Sequence, residues 1–171
     1  MLAAPGALAA DKNRATGTSA QSDPADAEAA IPSFDLVDLR NGRSVDLARL
    51  RTPGRAMLVW LWAPGCPVCN AEAREIEQFA RQERLRLTVL GIGTQGDQKA
   101  ATAFAKRHNL QSVRMLWSKD EALFDYYGVL QTPSTLLIDG SFRQAGDWSG
   151  RTPIGQVRKA LNRIAPTEKK G

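Results

Sequence analysis

The side chains best suited to chemistry are Cys66 and Cys69, the only two cysteines, in the stretch Trp60-Leu-Trp-Ala-Pro-Gly-Cys-Pro-Val-Cys69. With no third cysteine, a disulfide-scaffolded fold is excluded. A four-ligand zinc site needs more Cys and His than this pair and the single His108 supply, so no metal is expected, and no cofactor. Asn70, not His, follows Cys69, which excludes c-type haem attachment. A redox dithiol or a pair of inert core thiols remains. Pro67 suits the first position of a helix, where a missing N–H is harmless. Cys66 then sits at the helix N-terminus, where unpaired N–H groups and the positive end of the dipole stabilise an anion. Such placement brings a thiol pKa from about 8.5 to between about 3.5 and 7.5. Cys66 is the expected nucleophile. Cys69, one turn inside the helix, is the expected resolving thiol. A Gly-Cys-Pro helix start is a poor place to bury an inert thiol.

Three further positions join the candidate site. Glu72 lies three residues after Cys69 and four before Ile76, on the inward side of the same helix. A carboxylate there is partly desolvated and holds its proton more tightly, so it could pass a proton to or from the Cys69 sulfur. The alternative is a rim Glu paired with an Arg. Thr132-Pro133 is either an ordinary loop proline or a substrate-facing one. His108, at a helix end, is read as offsetting the dipole rather than as a base. Trp60, Trp117 and Trp148 are read as packing.

The elements that must position these residues follow from periodicity. Phe34–Leu39 alternates, Asn41-Gly42 is a hairpin turn signal, and Ser44–Leu47 supplies the return strand. Ala56–Ala63 is a continuous apolar run, as expected of a strand buried on both faces. From Pro67 to about Glu83, Cys69, Ala73, Ile76 and Ala80 recur at helical spacing. A strand is expected over Leu85–Thr94, a helix over Asp97–His108 and a strand over Val113–Trp117. Ser118-Lys-Asp-Glu121 reads as a capping box opening a short helix that Gly128 ends. Strands over Thr135–Asp139 and Phe142–Trp148 flank the Asp139-Gly140 turn. Thr152-Pro153 is expected to cap a last helix whose apolar face carries Ile154, Val157, Leu161 and Ile164.

The chain has 171 residues, 43% hydrophobic and 24% charged, which suits one domain with a real core. Its longest apolar run, Ala56–Ala63, is far short of the roughly 18 residues that span a bilayer. The net charge is +5, but the basic residues scatter over several elements and the 6% aromatics do not interleave with them. The charge therefore reads as solubility, without a nucleic-acid partner. Residues 1–30 lack hydrophobic periodicity and read as a disordered tail or linker. Met1–Ala10 resembles the end of a secretory signal, with Ala7-Leu8-Ala9 of cleavage-site form, although an Ala-rich tail reads equally well. The folded domain is expected over 31–166, and 167–171 as a basic tail.

A CxxC at the first strand–helix junction of a βαβ pattern reads as a thioredoxin-like redox motif. The chain resembles the thioredoxin superfamily, and more closely its extracytoplasmic TlpA/ResA/DsbE-type branch. Trp62-Ala63, the Cys66-Pro67-Val68-Cys69 motif, Glu72, Thr132-Pro133 and the leading hairpin carry the resemblance, over about residues 34–165. It implies an α/β, thioredoxin-like fold: a mixed central sheet flanked by helices, with an N-terminal β-hairpin. It also implies a cis Thr132–Pro133 bond facing the dithiol, and a Glu72 tied to the redox centre. The implied activity is thiol–disulfide exchange outside the cytoplasm on protein disulfides or dithiols, with a membrane-bound thiol partner. A reductase that keeps apocytochrome c or other envelope cysteines reduced is the leading expectation. A disulfide-inserting oxidant and a non-catalytic thioredoxin-like binding module are the alternatives. Two departures stand out. Gly65 replaces the Trp that usually precedes the first cysteine, and Trp60 stands where thioredoxin has a buried Asp. The Pro67-Val68 dipeptide leaves the direction of reaction open.

Overall fold

The computed structural model describes residues 33–166. The expected tails at 1–30 and 167–171, with Ala7-Leu8-Ala9, lie outside the described residues.

The hairpin forms where the alternation and the Asn-Gly turn place it. Strands β1 (Asp35–Asp38) and β2 (Ser44–Asp46) pair antiparallel. The Asp38 carbonyl accepts from the Gly42 N–H at 2.8 Å, and Gly42 takes the φ of +70° that the turn requires. The apolar run becomes β3 (Ala56–Trp62), buried at all seven positions. It lies between β4 (Leu87–Gly93), to which it is parallel, and β6 (Ser134–Ile138), to which it is antiparallel. With β5 (Arg114–Ser118) and β7 (Gln144–Ser149), the sheet order is β2-β1-β5-β4-β3-β6-β7. The helices are α1 (Pro67–Gln82), α2 (Gln98–Arg107), α3 (Ala122–Tyr126) and α4 (Ile154–Ile164). This is the mixed, helix-flanked sheet that the resemblance implied.

Strand parity divides the core in two. Leu58, Trp60 and Trp62 face Ile76 and Phe79 of α1, Phe104 of α2 and Val157 and Leu161 of α4. Met57, Val59 and Leu61 face the other way, towards Leu36, Leu123, Leu136 and Leu47, the last in a 3-10 turn at Leu47–Leu50. The indoles fit because β4 carries glycines. A Cβ on Gly93 would lie 2.7 Å from the Trp62 ring, and one on Gly91 2.7 Å from the Met115 sulfur.

Four local expectations are corrected. β4 starts at Leu87, and Leu85 is 85% exposed in the turn before it. Phe142 is not in β7. It sits in the preceding turn at φ +66°, under the Arg51 guanidinium, while the Asp139 carboxylate receives the Ser141 and Arg143 N–H groups. The capping box does not form, because β5 runs through Ser118, whose hydroxyl donates to the Asp120 carbonyl. The Asp120 carboxylate instead receives the Ala122 N–H, and α3 ends at Gly128 as expected. Thr152 does not cap α4: Pro153 holds the cap position with no side-chain bond, and Thr152 turns inward.

Candidate functional site

The site lies beyond the carboxyl end of β3, where open α/β sheets expose their loops to ligands. Cys66 occupies the N-cap of α1 with extended backbone, and Pro67 takes the first helical position, as the sequence predicts. The two cysteines form a disulfide with Cα atoms 5.2 Å apart. The Cys69 N–H, one of the helix's unpaired amides, donates to the Cys66 sulfur at 3.1 Å. A neutral sulfur accepts weakly, whereas on a thiolate the same bond is charge-assisted. The pair is asymmetric: Cys66 is partly exposed, and Cys69 is fully buried among Trp60, Trp62 and Ala73.

Asn70 fastens this turn. Its side-chain amide donates to the Pro64 and Cys66 carbonyls at 3.2 and 2.9 Å. Its carbonyl oxygen lies 3.0 Å from Nε2 of His108 at the end of α2. His108 also packs on the Phe104 ring, and burial, with Arg107 and Arg74 nearby, lowers its pKa. His108 stands at the C-cap of α2, the helix end where the sequence placed it, and its ring also braces Asn70.

Gly65, Pro67 and Val68 are exposed around the disulfide, and Trp62 is buried beneath it against Phe104, with ring centroids 4.3 Å apart. An open groove of about 570 Å³ runs past Cys66. Pro64, Gly65, Pro67, Val68, Gln95, Gly96, Ala100 and Thr132 line it. The Thr132–Pro133 bond is cis, and the Thr132 carbonyl oxygen lies 3.5 Å from the Cys66 sulfur. The Pro133 carbonyl accepts from the Gly150 N–H at 2.8 Å, tying this loop to the end of β7.

Glu72 is no rim residue. It is 1% exposed and has no ion pair among the described residues. Trp60 Nε1 donates to its Oε1 at 2.7 Å, and the Thr152 N–H donates to Oε2 at 2.7 Å. The Thr152 hydroxyl lies 3.1 Å from Oε1 and 2.8 Å from the Thr135 hydroxyl. Burial pushes the Glu72 pKa up, and the Thr152 and Trp60 bonds with the Arg151 charge reverse only part of that. Trp60 is therefore more than packing: it holds the carboxylate. Sequence reasoning missed Thr152 and Thr135, and missed Gln95-Gly96 in the groove lining. Strand pairing sets Thr135 directly opposite Trp60. The only signal for Gln95-Gly96 was the turn-forming Gln-Gly-Asp before α2.

The sheet topology, with a CxxC disulfide at the β3–α1 junction whose first sulfur is partly exposed, defines a thioredoxin-like protein. The Redoxin family model matches residues 26–141, and the chain belongs to that family. It is 31% identical over 125 residues to the thiol:disulfide interchange protein DsbE of Escherichia coli K12, a match covering 71% of this chain and 66% of DsbE. The chain thus spans just under two thirds of that relative's length. It is 33% identical over 94 residues to the soluble secreted antigen MPT53 of Mycobacterium tuberculosis, covering 55% of this chain and 52% of the antigen. It also superposes on the crystal structure of a secreted M. tuberculosis disulfide oxidoreductase homologous to E. coli DsbE. There the TM-score is 0.66 at 25% identity, covering 77% of this chain and 96% of that one.

Proposed function

We propose that this protein is a thiol–disulfide oxidoreductase that works outside the cytoplasm and reduces disulfides in exported proteins, apocytochrome c among the candidates. The observation that carries the reading is the asymmetric disulfide, with one sulfur open to a groove at a helix N-terminus and the other sealed in the core. In the reduced protein, the Cys66 thiolate attacks a substrate disulfide, forming a mixed disulfide and expelling one substrate thiolate. Cys69 gives its proton to Glu72, and its thiolate attacks the Cys66 sulfur. That step releases the second substrate thiolate and regenerates the Cys66–Cys69 disulfide. Two electrons pass to the substrate, and its two sulfurs leave as thiols once protonated. Thr132, beside the proline that lacks an N–H, offers its backbone to an extended substrate segment in the groove. A membrane-bound thiol donor then restores the dithiol.

The secreted relatives support the extracytoplasmic setting. The reductive direction rests on the likeness to the DsbE branch. Insulin-reduction turnover tests the activity, and the reduction potential of the Cys66–Cys69 pair tests the direction. A value near that of thioredoxin, about −270 mV, agrees with a reductase. A value near the oxidant end, about −120 mV, would reverse the direction. Absence of turnover with both cysteines intact would leave a binding module.

A further inference from the structure

The buried carboxylates of the described residues are Asp38 and Glu72, and only Asp38 has a cation, Arg114 at 3.0 Å. Among the described residues Glu72 has no ion pair and is held by hydrogen bonds, and its partners differ in kind. The Trp60 indole N–H and the Thr152 backbone N–H can only donate, whereas the Thr152 hydroxyl can donate or accept. An ionised Glu72 uses all three as donors. A protonated Glu72 must itself donate. Each oxygen faces a donor-only N–H, Oε2 that of Thr152 and Oε1 that of Trp60, but only Oε1 also has a group in reach that can accept, so the proton's seat is Oε1. The acceptor there is Thr152 Oγ1 at 3.1 Å, which then turns its own hydrogen towards Thr135 Oγ1 at 2.8 Å. Trp60, Glu72, Thr135 and Thr152 are all at most 3% exposed, so no solvent replaces a lost partner.

We propose that Thr152, backed by Thr135, is the positioning residue that lets Glu72 hold a proton or release it without leaving a buried group unpaired, while Trp60 is the fixed donor that favours the released state. The proposal deepens the reading of Glu72 as the proton acceptor for Cys69 and rests on it for its use in catalysis. The other charged or titratable groups around Glu72 are Arg151, paired with the exposed Glu75 at 3.0 Å, and Cys69 one turn earlier when reduced.

The test is a ¹³C-carboxyl NMR titration of the oxidised protein, in which neither cysteine titrates. The Glu72 signal is identified by its loss in Glu72→Gln. Trp60→Phe removes a bond that is stronger to the anion than to the acid, so the Glu72 midpoint rises by about 1. Thr152→Val takes a donor from the anion and the acceptor from the acid. Its midpoint therefore stays within about 0.5 of the parent, while the protein unfolds at lower urea both above and below that midpoint. Thr152→Ser restores the urea midpoint. A Thr152→Val midpoint raised as far as that expected of Trp60→Phe would make Thr152 a plain donor and overturn the proposal. A folded Trp60→Phe with an unmoved midpoint would overturn the part assigned to Trp60. If Trp60→Phe does not fold, the Val and Ser pair decides alone. Insulin-reduction rates separate the two readings. If Glu72→Gln leaves turnover intact, the proton role in catalysis fails while the titration still judges the hydrogen-bond device.

Discussion

β3 sends Leu58, Trp60 and Trp62 to one face of the sheet and Met57, Val59 and Leu61 to the other, and the two cores they enter differ in kind. The second is aliphatic and aromatic, closed by Leu36, Leu47, Leu123 and Phe124. The first contains Cys69 and borders the Glu72, Thr135 and Thr152 network. A single strand thus separates stability from chemistry by the alternation of its side chains. The apolar face can be as tight as packing allows. On the proposed mechanism, the other face must keep a sulfur and a carboxylate buried yet able to change protonation state.

The largest effect that tests this division is loss of the exposed sulfur. Cys66→Ser should lower insulin-reduction turnover by at least about 10³-fold while the folded protein keeps its circular dichroism spectrum. On the opposite face, Leu61→Ala should cost about 2–5 kcal/mol in urea unfolding. It should leave turnover per folded molecule unchanged, and a fall in turnover of the folded fraction would break the comparison.

Glu72→Gln comes next. With Glu72 as the proposed proton acceptor for Cys69, this substitution should slow turnover near neutral pH by about 10²-fold. The amide nitrogen that replaces one carboxylate oxygen also meets a donor, which costs some stability. The variant should lower the pKa of the neighbouring thiol as well, read by thiolate absorbance, because the repelling carboxylate is absent. Linkage sharpens the contrast. The Glu72 pKa is raised on folding, so between its ordinary value of 4.5 and its folded value the native state binds the extra proton. Stability of the oxidised wild type should therefore fall as pH rises through that window. The fall should be smaller in Glu72→Gln and unchanged in Leu61→Ala.

The smallest effect lies outside both cores. Arg151→Ala removes an exposed ion pair with Glu75 and a modest positive influence on Glu72. It should change urea stability by less than about 1 kcal/mol and leave turnover within about two-fold.

What the sequence disclosed follows the same division. β3, α1 and the position of Cys66 were legible because an apolar run, a Gly-Cys-Pro helix start and 3.6-residue spacing are local signals. The place of Glu72 one turn after Cys69 pointed inward but left a rim Glu paired with an Arg open, and the burial decided between them. The groups that hold it did not, since Thr152 is 80 residues away and joins it only when the β7–α4 connection folds over α1. Thr152-Pro153 and Ser118-Lys-Asp-Glu121 both looked like helix starts. Tertiary structure claimed Thr152 for a buried carboxylate and Ser118 for a strand. Trp60 read as packing because its ring does pack. Its N–H has a partner only because strand parity aims it at the inward side of α1.

The central claim, that the exposed sulfur attacks and the buried one resolves, is tested most directly by covalent trapping with a disulfide-bearing protein substrate. Cys69→Ala should accumulate a mixed disulfide through Cys66 that a small thiol releases, and Cys66→Ala should accumulate none. Adducts on Cys66→Ala and none on Cys69→Ala would contradict the account.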